Sequence, residues 1–126
     1  MKNLKKLLVI SNHHINNWSD KQKKGWDEII FHPFPNVSPK ASAKEVFEMA
    51  DDLIKKIADF IRENPEGKVC LQGEFSLCFV VFKSIDDPIF VFPTTERVVE
   101  EKVIDGKTVK NSVFRFVQWR EMGKLV

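Results

Sequence analysis

Residues 68–83, KVCLQGEFSLCFVVFK, contain the clearest indication of the fold class. The first part of this stretch, 68–71, is typical of a buried strand, and residues 75–83 are typical of an apolar helix. A polar turn at 72–74 joins the two, so the stretch predicts a strand that leads directly into a helix. The N-terminus of such a helix exposes backbone N–H groups, and these groups attract anions. The turn is therefore a candidate anion site.

Strands and helices alternate on both sides of this stretch. We expect further strands at 7–10, 29–31 and 88–92, a short helix at 19–24 that ends at Gly25, and a long helix at 43–63. Ser42 and Glu45 form a capping box at the start of the long helix. Alternation of this kind predicts a parallel sheet with helices on both faces.

The C-terminal third has a different pattern. Asp105-Gly106 lies between two β-rich runs, which is a strong signal for a hairpin over about 97–120. A length of 126 residues suits one domain. The predicted fold class is therefore α/β, with a single domain over 1–126, a parallel sheet, flanking helices and a C-terminal β-hairpin.

Composition narrows the classes of function. The formal net charge is +2, which does not favour a protein that coats double-stranded DNA but still permits a compact anionic ligand. Cys70 and Cys78 lie in apolar stretches and are predicted to be buried, reduced thiols. The apolar run 7–10 is too short for a signal peptide or a membrane span, so we expect a cytoplasmic protein. No group of His, Cys or carboxylate residues has the spacing of metal ligands, so the sequence does not predict a metal site.

Three polar turns follow the predicted strands. Ligands of an open parallel sheet gather outside the carboxyl ends of its strands. If the turns converge, their hydroxyls, amides, imidazole and guanidinium suit the recognition of phosphate and base. The turns are Ser11-Asn12-His13-His14, Gln72-Gly73-Glu74-Phe75-Ser76 and Thr94-Thr95-Glu96-Arg97.

Each of these turns also has a purely structural interpretation. Gly73 permits a tight turn and Glu74 favours the helix dipole without any ligand. Ser11 and Asn12 are common turn formers. The two adjacent histidines point opposite ways on an extended chain, so one of them at most faces a site.

The hairpin and the apolar helix leave alternatives open as well. Arg97 is either a phosphate ligand or half of a surface ion pair. The helix 75–83 is apolar nearly all round, so we expect it to be buried on two sides, one of them a candidate dimer interface. The last strand combines cations with the aromatic ring of Trp119, which either stacks on adenine or belongs to the core. The residues concerned are Arg115, Gln118, Trp119 and Arg120.

Three stretches together resemble a known family: LLVISNHHI (7–15), VCLQGEFSLCFVVF (69–82) and FVFPTTERVVEEKVIDGKTVKNSVFRFVQWR (90–120). They are similar to the small, single-domain CRISPR-associated proteins of type III systems, which are stand-alone relatives of CARF domains and act as ring nucleases. The resemblance is strongest from Lys68 to Arg120. The segment 16–42 is divergent and rich in proline.

The resemblance implies a CARF-like Rossmann fold, a homodimer, and cyclic oligoadenylate as the ligand, above all cyclic tetra-adenylate. A ring of four nucleotides matches the symmetry of a two-fold cleft. The reaction would cut the ring into linear di-adenylates without metal or cofactor and switch off type III CRISPR signalling. For such a reaction, Arg97 is the candidate for stabilising the growing charge on the phosphate, and His13 or Glu74 is the candidate for moving a proton. The candidate ligand-binding residues are Ser11, Asn12, Gln72, Gly73, Phe75, Ser76, Thr94 and Thr95.

Two other functions fit the same residues. A protein of this fold can sequester or sense the cyclic oligoadenylate without cutting it, because binding and slow cleavage use the same contacts. An interaction module that holds a protein partner through the apolar helix and the hairpin is the third possibility, and it predicts no binding of the ring.

Overall fold

A parallel sheet of three strands forms the centre of the fold, and a long β-hairpin follows it. The computed structural model describes residues 4–122. The elements in chain order are β1 (Lys6–Ser11), a 3-10 turn (Ile15–Asn17), α1 (Asp20–Lys23), β2 (Glu28–Pro33), α2 (Ala43–Glu63), β3 (Lys68–Gln72), α3 (Phe75–Ser84), β4 (Val91–Ile104) and β5 (Lys107–Glu121).

The strand order in the sheet is β2-β1-β3, and both pairings are parallel. This confirms the predicted parallel sheet. Ser11 lies opposite Pro33 on one side and opposite Gln72 on the other, so the three carboxyl ends meet at one edge. The chain moves from β1 to one side of the sheet and later returns to the other side. The gap between the ends of β1 and β3 is therefore a topological switch point, where open α/β sheets bind their ligands.

The two faces of the sheet are covered differently. One face packs against α2 and α3 and contributes Leu8, Ile10, Val69 and Leu71 to the larger core cluster. The other face packs mainly against the indoles of Trp18, Trp26 and Trp119. The expectation of helices on both faces is therefore corrected: the two long helices share one face, and tryptophans beside α1 and on β5 cover the other.

Helix α2 has the bounds that its sequence predicts. Ser42 Oγ accepts a hydrogen bond from the Glu45 N–H at 3.1 Å, which satisfies one of the free donors of the first turn. The buried side chains form one stripe: Val46, Ala50, Leu53, Ile57 and Phe60. Polar residues fill the opposite side of α2. Within residues 4–122, no helix combines the length and the hydropathy that crossing a bilayer requires.

Within one chain, helix α3 is buried on one side only. Burial of its second side in a dimer interface stays a prediction. Leu77, Cys78 and Val81 face the core. Phe75 is 90% exposed and Phe79 is 63% exposed. The reason is that α2 and the sheet cover one side of α3, and no described element covers the other.

The predicted fourth strand at 88–92 is the start of the hairpin instead. A single parallel bridge between Val69 and Phe90 connects this segment to β3. From Val91 onward the chain pairs with β5, so the hairpin covers 91–121 rather than 97–120. The predicted turn at Asp105-Gly106 is confirmed, and both of its residues have positive φ, 50° and 74°, as a tight hairpin turn requires.

Thr94-Thr95-Glu96-Arg97 is not a turn, so this prediction is wrong. The four residues lie inside β4, where Arg97 is opposite Phe114. A bulge between Thr94 and Thr95 is the only irregularity of the β4–β5 pairing. Threonine suits a strand well, and the long partner strand provides hydrogen bonds that a polar turn does not offer.

Both cysteines are free and buried, as predicted. Burial raises the pKa of the Cys70 thiol to about 12 and raises the pKa of Cys78 as well. Both side chains therefore act as small apolar core groups.

Candidate functional site

Two of the three predicted polar segments meet at the carboxyl edge of the sheet. Ser11 and Gln72 are register partners at the ends of β1 and β3. Asn12, His13 and Gln72 are exposed at this edge. Because these side chains follow adjacent strand ends at the switch point, they form the candidate site that the topology favours.

Some polar residues of the segment after β1 hydrogen-bond the local backbone, and others are left exposed. Ser11 is only 2% exposed, and its Oγ accepts a hydrogen bond from the His13 N–H at 3.1 Å. His14 Nδ1 accepts from the Asn16 N–H at 3.0 Å, and its ring lies 4.4 Å from that of Phe31. Ser11 and His14 therefore hold the local backbone. His13 is exposed, and its imidazole makes no hydrogen bond within residues 4–122.

Glu74 occupies the anion site at the N-terminus of α3. Its carboxylate accepts hydrogen bonds from the N–H groups of Ser76 at 3.0 Å and Leu77 at 2.9 Å. The Ser76 hydroxyl also donates to it at 2.7 Å. The Ser76 hydroxyl is the main reason that the pKa of Glu74 is lowered, and the two backbone bonds add to it. The protein thus supplies its own anion, and a phosphate could reach these N–H groups only by displacing the carboxylate.

Phe34 is a residue of this edge that sequence reasoning missed. A β-carbon on Gly73 would lie 2.5 Å from three atoms of the Phe34 ring. The Phe34 N–H donates to the Ser11 carbonyl at 3.0 Å, so the segment after β2 passes over the end of β1. The available signal was an aromatic residue between two prolines, three residues after the end of a predicted strand. Gly73 is therefore needed for this close approach. Its φ is not positive, so the turn itself does not require glycine.

The third predicted segment extends away from this edge. The parallel bridge from Val69 to Phe90 places Pro93 level with Gln72. Arg97 follows four residues later, which is roughly 13 Å farther along the strand. Its guanidinium donates to Ser112 Oγ, with Nε at 3.0 Å and Nη2 at 2.9 Å. The catalytic role of Arg97 stays a prediction.

Thr94, Thr95 and the candidate residues of β5 make contacts that hold the hairpin together or fix it to the rest of the fold. Thr94 Oγ1 donates to the Gln118 carbonyl at 3.2 Å, and Thr95 lies opposite Phe116. Trp119 packs against the sheet, and its Nε1 donates to the Gln22 carbonyl at 2.9 Å. The core interpretation of Trp119 is therefore confirmed. Arg115 forms an exposed ion pair with Glu100 at 3.0 Å.

Several open cavities lie elsewhere on the described surface, and two of them concern the sheet edges or α3. An apolar groove of about 610 Å³ between α2 and α3 is lined by Phe47, Phe79 and Lys83 among others. A cleft of about 400 Å³ lies at the opposite, amino edge of the sheet, beside Trp26 and Trp119. Of these two, the groove touches the candidate site, through Ser76. Among residues 4–122, no three His, Cys, Asp or Glu side chains are grouped as metal ligands.

Comparison with known proteins places the chain in a family. The profile described as "Uncharacterized protein MJ1673 family" matches residues 5–120. No curated protein and no solved structure matches the chain significantly. The match includes all five strands except the last residue of β5, and all three α-helices. The chain therefore belongs to the MJ1673 family.

Proposed function

We propose that this protein binds cyclic oligoadenylate at the carboxyl edge of its parallel sheet and cleaves the ring without a metal ion, as a homodimer. The observation that carries the proposal is the switch point between β1 and β3, where Asn12 and His13 lie beside Gln72. Support also comes from the resemblance of three stretches of the chain to type III CRISPR ring nucleases. A CARF-like identity of the fold belongs to the same proposal.

The exposed residues at this edge suit an adenylate. Phe75 is 90% exposed at the start of α3, and an exposed aromatic face stacks on a base. The side-chain amides of Asn12 and Gln72 offer donors and acceptors to ribose, phosphate or base edge. Each protomer would hold part of a ring whose symmetry matches a two-fold axis.

Cleavage needs only positioning and proton transfer. The ribose 2′-oxygen attacks the neighbouring phosphorus, the new O2′–P bond forms, and the P–O5′ bond breaks to leave a 2′,3′-cyclic phosphate. His13 takes the proton of the 2′-hydroxyl, and solvent water protonates the leaving 5′-oxygen. His13 then returns its proton to solvent, so the step is proton-neutral overall. In-line placement and proton transfer are the two contributions that the protein makes.

In this proposal Glu74 supports the turn before α3 and is not a catalytic residue, in contrast to the role that its sequence suggests. Its carboxylate is ionised at neutral pH, and its oxygens already accept from Ser76 and Leu77. Glu74 therefore holds the turn that presents Phe75, while His13 is the proton acceptor. Ser11 has a similar supporting part, through its bond to the His13 N–H.

Paired measurements of affinity and cleavage test the proposal. His13→Ala should retain the affinity for cyclic tetra-adenylate and lose cleavage by about 100-fold or more. Phe75→Ala should weaken binding by roughly tenfold or more, because stacking on a base is lost. Lys24→Ala, at the amino edge, is the matched control and should change neither.

Three results would overturn all or part of the proposal. A wild-type protein that binds the ring and leaves it intact is a sponge or sensor. A protein that does not bind the ring at all contradicts the whole proposal. Unchanged cleavage by His13→Ala would remove the proton-transfer role of His13.

A further inference from the structure

The hairpin strand β4 has a free outer edge. Phe90 pairs with β3, and from Val91 onward the strand pairs with β5. A strand has two edges, so β3 and β5 lie on opposite edges of this segment. Since β3 ends at Gln72, level with Pro93, no described strand covers that edge of β4 from Thr94 onward. Unpaired backbone groups on such an edge are a template for another strand.

The free part of the hairpin has little to stabilise it alone. Nearly all side chains from 95 to 118 are exposed or half-buried on both faces of two strands, and an isolated two-stranded hairpin is marginal in water. Several of the exposed side chains are large and apolar: Val99, Val103, Ile104, Val109 and Phe114. A third and fourth strand would supply the missing hydrogen bonds.

The charges of β4 are arranged almost as a palindrome. In an antiparallel pairing of two β4 strands about Val99, Glu96 faces the partner's Lys102 and Arg97 faces the partner's Glu101. Two-fold symmetry doubles both contacts, which gives four opposite-charge pairs. Glu96, Arg97 and Lys102 have no ion-pair partner within residues 4–122.

The length of the free edge also favours a pairing centred on Val99. The edge runs from Thr94 to Ile104, the last residue before the turn, and its midpoint is Val99. The pairing that matches the charges is therefore also the pairing of full length. The edge of β5 does not suit self-pairing, because its four cations outnumber its one acid: Lys107, Lys110, Arg115, Arg120 and Glu121.

We infer that two copies of this chain associate through antiparallel pairing of their β4 edges, centred on Val99, to form a four-stranded sheet. In this arrangement the carboxyl edges of the two parallel sheets face each other. The partner's Ile104 lies opposite Thr94, and Gln72 is level with Pro93 on the same edge. The partner's turn therefore bends away from β4 at the end of β3, beside Gln72 and Gly73. Each candidate site then gains the partner's Lys107 as a cation for a phosphate.

The inference assigns an interface to the homodimer of the proposed function. It rests on that proposed function only where the partner's Lys107 is said to bind a phosphate. The pairing itself needs no ligand, so it is tested on the protein alone, and failure of ring cleavage leaves it untouched. Conversely, a dimer through another surface, such as the exposed phenylalanines of α3, would overturn the pairing and leave ring binding open.

A charge exchange tests the register. Sedimentation of the wild type should give the mass of two 14.7 kDa chains. Glu96→Lys alone and Lys102→Glu alone each place two like-charge pairs in the interface, and each should weaken self-association by roughly tenfold. The double variant restores opposite charges and should recover dimerisation. Arg120→Glu, on β5, is the control of similar charge change and should have no such effect.

A covalent link tests the centre. Directly opposed residues of antiparallel strands have Cα atoms about 4.5–5.5 Å apart, within the range of a disulfide. Val99→Cys should form a covalent dimer on mild oxidation, whereas Val109→Cys on β5 should not. A monomeric wild type, a double variant as weak as the single variants, or equal linking at both positions would each overturn the inference.

Discussion

The aromatic ring of Phe34 lies directly over Gly73, so closely that a β-carbon at position 73 would be 2.5 Å from three ring atoms. The contact joins the segment after β2 to the turn after β3, across the end of β1. The contact therefore fixes the backbone at the carboxyl edge of the sheet, where Asn12 and Gln72 are exposed.

Replacement of Gly73 by alanine should destabilise the protein through this contact. The added methyl group must displace the Phe34 ring, and we expect a loss of about 1–3 kcal/mol in the free energy of unfolding. Urea unfolding measures it. The double variant Gly73→Ala/Phe34→Leu should lose less than the sum of the two single variants, because the smaller side chain makes room. Strict additivity would contradict the contact.

The Glu74 cap should make stability depend on pH in the acid range. The folded pKa of Glu74 is lowered, so its stabilising contribution is present above the unfolded pKa and is lost as pH falls through the folded pKa. Glu74→Ala should cost about 1 kcal/mol or less at pH 7, since this cap is exposed to solvent. Below the folded pKa the difference from wild type should shrink, as followed by thermal unfolding at several pH values.

Glu48→Gln is the control for this prediction, because Glu48 is exposed on α2 and forms no ion pair with a described residue. It should leave stability at pH 7 nearly unchanged. A Glu74→Ala variant as stable as wild type at pH 7 would show that the carboxylate does not cap α3 in solution.

The two thiols should be protected from reagents in the folded protein. Cys70 and Cys78 are buried, and burial raises both pKa values, so little reactive thiolate is present at pH 8. A thiol-reactive chromophore should label the native chain slowly and label both cysteines in denaturant. Rapid labelling of one thiol without unfolding would show that its helix or strand opens locally.

Trp119 should hold the base of the hairpin to the rest of the fold. Trp119→Phe removes the bond from Nε1 to the Gln22 carbonyl and should cost about 1 kcal/mol. Trp119→Ala also removes the packing against Trp18 and Trp26 and should cost about 3 kcal/mol. Phe114→Ala, on the same strand but 73% exposed, is the control and should cost much less. Equal losses at 114 and 119 would contradict this account.

The sequence predicts the parallel sheet, α2 and the hairpin turn well because each depends on local patterns. Continuous apolar runs mark β1 and β3, Ser42 marks the start of α2, and Asp105-Gly106 marks the turn. It predicts the fourth strand poorly. Residues 88–92 have the composition of a strand, but composition does not show whether such a strand joins β3 or pairs with β5.

The candidate site depends even more on contacts between distant residues. Convergence of the ends of β1 and β3 follows from topology and is therefore predictable. The position of Phe34 is not, because its partner Gly73 lies on a different strand end. The position of Arg97 depends on the length of the hairpin, since a polar run of four residues suits a turn and a strand alike. The Glu74 cap was predictable as a helix-dipole effect.

Metal-independent ring cleavage is measured by incubating the purified wild-type protein with labelled cyclic tetra-adenylate in excess EDTA and separating the products by chromatography. We expect linear di-adenylate to accumulate with time although no free metal is present. A ring that remains intact throughout, at protein concentrations in excess of the ring, would contradict this expectation.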